Sequence, residues 1–254
     1  MAVLRLLLVG GVVAIAAAAS AASPADTLLQ SALVAEARHD TKRALDLFLA
    51  LEELRPGDSF VLQKIARQYS DQTGDVPTEA EQRAMAERAL EYARRATELD
   101  PDNAVNVLSL AICHGKLGLY SDVRSRISYS RLVKEYAERA LVLDPGYAWA
   151  SHVLGRWHHE VSTLSGVARL FVRWFSEGLP AASTADAVRL LTRAVELEPD
   201  ELAHHLELGF ALLAHKQIPE ARTAFTRGLA MPSRAKHDES AKARARAAMA
   251  AWPN

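Results

Sequence analysis

From Asp26 onward the apolar residues of this chain recur at three- and four-residue spacing, and no stretch keeps the two-residue alternation of a strand for more than a few positions. Alanine and leucine dominate these apolar positions. The pattern predicts an all-α body. Its helix ends are written almost alike several times: Ala96-Thr97-Glu98-Leu99-Asp100-Pro101, Ala140-Leu141-Val142-Leu143-Asp144-Pro145 and Ala194-Val195-Glu196-Leu197-Glu198-Pro199, with Leu54-Arg55-Pro56 a looser copy. Each proline explains a stop, because it lacks the N–H and pushes the preceding residue out of helical geometry. The alanine five residues earlier permits close approach of a neighbouring helix.

These ends resemble tetratricopeptide repeats, units of about 34 residues built from two antiparallel helices. Leu208-Gly209, Leu212, Ala221, Phe225, Gly228 and Pro232 carry the likeness in the last unit, and Ala44, Phe48 and Pro56 in the first. The expectation is a superhelical array over 25–251, with units 25–58, 59–101, 104–145, 148–199 and 202–233 and a terminal capping helix over 237–249. Insertions lengthen the middle units near Ser70 to Thr78, Ser121 to Ile127 and Ser162 to Thr184, so inserted helices are expected as well.

Ahead of the repeats, Arg5 precedes an almost uninterrupted run of Leu, Val, Ile and Ala that ends in Ser20-Ala21-Ala22-Ser23-Pro24. That grammar predicts a signal peptide over 1–22, cleaved after Ala21 or Ala22, and a protein exported to the periplasm. The run from Leu6 to Ala19 is shorter than the roughly 20 residues a membrane span needs. An anchor formed by residues 3–19 is the alternative.

Composition removes some classes of partner and leaves others. Acidic and basic residues nearly cancel, at a net charge of -1, so nothing in the global field argues for nucleic acid. Membrane contact is expected to be peripheral at most. The single cysteine, Cys113, sits in an apolar helical stretch where a buried thiol is the usual outcome. His158-His159-Glu160 and His204-His205 lack the His-Glu-x-x-His spacing that brings two imidazoles to one zinc, so no metal is expected and the histidines are read as solvated or groove-lining. Neither a nucleophile elbow nor a phosphate or dinucleotide loop is present, which argues against an enzyme and against any cofactor.

A narrower likeness lies in the middle of the chain. Ile127-Ser128-Tyr129-Ser130, Val133-Lys134-Glu135-Tyr136, Leu154-Gly155-Arg156-Trp157 and Leu179-Pro180-Ala181-Ala182-Ser183 follow one another in an order that resembles the regulator of microtubule dynamics family, over roughly Phe60 to Ala247. The resemblance implies a helical repeat domain without assigned chemistry, linked in eukaryotic members to microtubules and to contacts between organelle membranes.

In stacked helical hairpins the first helix of each unit lines the concave side. Counting along these helices predicts a groove of Phe60, Gln63 and Arg67; Val105, Leu108 and Ile112; Trp149, His152, Arg156 and His159; and Leu206, Phe210 and Leu213. An apolar trough holding Arg67 and Arg156 suits a protein or peptide partner, or a lipid-like amphipathic ligand with an acid group. Alternatively, the helix from His237 to Met249 fills the trough. Val167, Leu170, Phe171, Trp174 and Phe175 form a helical stripe beside Arg169 and Arg173, expected to pack on the array or to act as a lid or interface. Three functions remain open: an exported binding scaffold, a carrier of an apolar ligand, and a microtubule-associated protein in a eukaryotic cytosol.

Overall fold

A computed structural model describes residues 23–166 and 179–251 of the chain. Its helices are α1 (Pro24–Ala37), α2 (Thr41–Leu54), α3 (Ser59–Gln72), α4 (Glu79–Leu99), α5 (Ala104–Leu119), α6 (Val123–Leu143), α7 (Ala148–Ser162), α8 (Thr184–Leu197), α9 (Leu202–Ala214), α10 (Ile218–Ala230) and α11 (Asp238–Ala250). Most start on a side chain that accepts from an otherwise unpaired backbone N–H: Ser23, Asp40, Asp58, Thr78, Asn103, Asp122, Ser183 and Glu201. At α4, Thr78 and Glu81 form a full capping box. Five helices stop two residues before a proline, at Leu54, Leu99, Leu143, Leu197 and Ala230. In the first and last pairs the turn between partners runs through a left-handed residue, His39 (φ 58°) and Lys216 (φ 65°).

Consecutive helices pack as antiparallel pairs, α1 with α2, α3 with α4, α5 with α6, α7 with α8 and α9 with α10. Small residues set the spacing. Ala44, Ala86, Ala89, Ala93, Ala137, Ala140, Ala187, Ala194 and Ala221 are fully buried, so the backbones approach closely and larger side chains fill the gaps. Phe48 and Phe225 occupy matching places in the second helices of the first and last pairs, both without exposure. In the last pair the contact is reciprocal: a Cβ on Gly209 would lie 2.7 Å from Phe225, and one on Gly228 would lie 2.6 Å from Leu206. The insertion near Ser121 to Ile127 becomes helix, since α6 begins at Val123 and runs 21 residues. The second helix α4 is equally long, against 14 residues in α2 and α8. At 1.5 Å rise per residue each is about 10 Å longer than its counterparts.

First helices of successive pairs also touch one another, α3 on α5, α5 on α7 and α7 on α9. That contact puts them on the inner side of the array, where the candidate site lies.

Candidate functional site: the concave face

On α3 the inward face carries Phe60, Lys64, Arg67 and Asp71, one helical turn apart. Phe60 is 46% exposed, with the Lys64 ammonium 5.4 Å from its ring centroid. Arg67 is exposed, its Nε 3.7 Å from Glu36 and 3.8 Å from Asp71. Glu36 of α1 also accepts from Lys64 Nζ at 2.7 Å and from Gln68 Nε2 at 2.8 Å, so one carboxylate ties three residues of α3 to the first pair. Gln63, on the flank, donates to Ser109 of α5 at 3.2 Å.

From α5, Val105 and Ile112 are exposed beside this row. One turn beyond Ile112 stands Lys116, whose Nζ donates to Thr73 Oγ1 at 3.3 Å. Burial pulls the Lys116 pKa below its ordinary value; Asp71 opposes that shift, whereas Arg156 and Lys236 add to it. Leu108, by contrast, is 1% exposed and packs with Val107, Ala111 and Ala150. It corrects the sequence count: Leu108 sits on the seam between pairs and cannot touch a ligand.

The α7 residues divide. Arg156 is exposed and its Nε donates to Glu160 at 2.8 Å. Burial works against its charge, but Glu160 and Glu207 more than offset this and hold its pKa above the ordinary value. His159 is half-buried, and burial lowers its pKa. Trp149 is half-buried and lies against His152 (4.9 Å between centroids) and His204 (4.8 Å). His152 itself is buried against His204 and lies under the groove rather than lining it.

Along α9, Leu206 is a second correction, fully buried in the notch left by Gly228. Phe210 and Leu213 are half-buried. Phe210 stacks edge-on against Phe225, and the Arg244 guanidinium of α11 stands 4.7 Å from its centroid. The C-terminal helix thus covers this end of the face. Phe171, Trp174 and Phe175, together with Val167 and Leu170, lie outside the described residues.

Most of the histidines read as solvated or groove-lining are structural. His158, His204 and His205 are buried; His158 Nδ1 accepts from the Ser183 N–H at 3.4 Å, and His205 Nε2 contacts the Pro199 carbonyl at 2.8 Å. Among the described residues no group of three or more His, Cys, Asp or Glu side chains is placed to hold a metal ion. Lys116 and Asp71 belong to the face and were missed, although each is one step of four residues beyond a residue already counted, Ile112 and Arg67.

The face therefore presents apolar patches (Phe60, Val105, Ile112) alternating with cations (Arg67, Lys116, Arg156). The profile of the Regulator of microtubule dynamics protein 1-3 family matches residues 26–252. The chain belongs to this family. Regulator of microtubule dynamics protein 3 of Xenopus laevis is 32% identical over 138 residues, covering 54% of this chain and 30% of that protein. For Regulator of microtubule dynamics protein 1 of Bos taurus the values are 28% over 152 residues, 59% and 48%. The chain thus spans less than half the length of these two curated relatives. Among solved structures, a thermophilic tetratricopeptide repeat protein of Thermus thermophilus superposes with a TM-score of 0.64 at 18% identity, covering 89% of this chain and 99% of that one. The regulator family member described here thus has a tetratricopeptide-like helical array as its fold.

Proposed function

We propose that this protein is a non-enzymatic binding scaffold that holds an extended segment of a partner protein along the inner face of α3, α5 and α7. The observation that carries the reading is the exposure of Phe60, Val105 and Ile112 beside Arg67, Lys116 and Arg156 on one face. Large apolar side chains left in water beside cations are what a partner with apolar anchors and acidic groups covers. A photo-crosslinking amino acid at Ile112, compared with one at the 80% exposed Val142 of α6, tests it in the native host. Protein adducts specific to position 112 support the reading; none, or the same set from both positions, overturns it.

The same face suits an amphipathic small ligand with an acid group, and that carrier reading predicts an organic-extractable molecule in the purified protein. Export is proposed on the pattern of residues 1–22, and a mature mass beginning near Ala22 or Ser23 would support it. The relatives named above come from vertebrates, and no helix among the described residues is long and apolar enough to cross a membrane. A chain that keeps its leader in a eukaryotic cytosol favours a microtubule-associated role instead, which cosedimentation with polymerised tubulin tests.

A further inference from the structure

The last helix lies on the inner face. α11 packs on both α9 and α10, and Arg244 ion-pairs with Glu207 at 3.1 Å while covering Phe210. Ala241, Ala248 and Met249 join the cluster that holds Phe210 and Leu213. Two groove residues of the last pair are thus occupied by the protein's own chain.

Just before α11 the chain reaches across the array. Lys236 Nζ donates to the Asp71 carbonyl at 2.8 Å and pairs with Asp75, and His237 Nε2 lies 3.6 Å from the Asp71 carboxylate. These bonds join residues as many as 165 apart, in an architecture whose units ordinarily touch only their neighbours. The seat is slight. Asp75 is half-exposed, so its ion pair is weak. No side chain caps the start of α11, and only Asp238, Lys242 and Ala245 are buried along it.

We propose that α11 is a displaceable resident of the concave face, latched there by Lys236 and His237. The partner that replaces it on α9 and α10 is a helix of the same chemistry, basic and alanine-rich, with an arginine for Glu207 and Phe210, a seat separate from the one proposed for an acidic segment on α3, α5 and α7. This rests on reading the concave face as a binding surface, yet its test needs no knowledge of the native partner.

Hydrogen exchange on the full chain compares wild type, Lys236→Glu and Lys236→Arg, and each is titrated with a labelled peptide copying residues 235–250. Lys236→Glu is expected to speed exchange in α11 about tenfold while α1 to α7 stay within about twofold. It is also expected to bind the peptide, with Lys236→Arg behaving as wild type. Unchanged protection of α11 in Lys236→Glu, an opened α11 that leaves the peptide unbound, or faster exchange in every helix would each overturn the proposal; the last would make the closure part of the fold. Crosslinking at Ile112 is read separately, so loss of the scaffold reading and loss of the latch are distinguishable.

Discussion

His152 and His204 meet Nδ1 to Nδ1 at 3.0 Å in the seam between α7 and α9. One proton fits between the two nitrogens, so one ring donates and the other accepts. The outer nitrogen of His204 lies 3.4 Å from Glu198, out of hydrogen-bonding alignment. Burial pulls both pKa values down to about 3, reinforced by Arg156 at His152 and by His152 and His205 at His204.

Acid should therefore destabilise the fold. The unfolded chain takes up protons near 6.5 and the folded pair only near 3, so the contribution is whole above pH 6.5 and is lost as pH falls toward 3. Between pH 6.5 and 5 each histidine accounts for up to about 2 kcal/mol, and the coupled pair for less than twice that. Thermal melts from pH 7 to 4 should show the decline, and His152→Gln should make it shallower. A melting temperature equal at pH 7 and pH 5 would rule out a buried neutral pair.

Two glycines in first helices should respond oppositely to alanine. A Cβ on Gly155 would lie 2.8 Å from Leu191 Cγ and 3.2 Å from the Leu191 backbone nitrogen, so Gly155→Ala is expected to cost about 1–3 kcal/mol. At Gly115 the nearest atom is 3.7 Å away, and Gly115→Ala should gain up to about 1 kcal/mol from helix propensity. Urea midpoints of the two variants check the sign of each.

Removing the Glu36 carboxylate should loosen α3 from the first pair. Lys64 and Gln68 lose their partner in a setting where the Lys64 and Glu36 side chains are each only 15% exposed. Glu36→Ala is therefore expected to cost about 2 kcal/mol, seen in urea unfolding as a lower midpoint. Wild-type stability in this variant would mean that water replaces the tie at no cost.

Burial pushes the Cys113 thiol pKa up to about 12, and the side chain is 2% exposed. At pH 8 a thiol reagent should leave the native protein unmodified and label one group per chain in denaturant. Full labelling of the native state within minutes would contradict this placement.

The fold class was legible because its signals are local: proline stops after Leu54, Leu99, Leu143 and Leu197, and alanine at the contacts. The site was only half legible. Counting by threes and fours selects a stripe, yet neighbours on that stripe part ways, Ile112 exposed and Leu108 buried. Leu206 needed knowledge of the notch opposite it at Gly228, and the histidines needed knowledge of which helix lies over them. Lys236 meets Asp71 through chain closure, which no periodicity encodes.

The reciprocal fit of the last pair bears on how sequences in this family can drift. Gly209 makes room for Phe225, and Gly228 makes room for Leu206, so each large side chain borrows its volume from the opposite helix. Growth at either glycine is tolerable only with shrinkage across the seam. Relatives that carry a larger residue at either position should carry a smaller one opposite, so these four sites would mutate as two linked pairs.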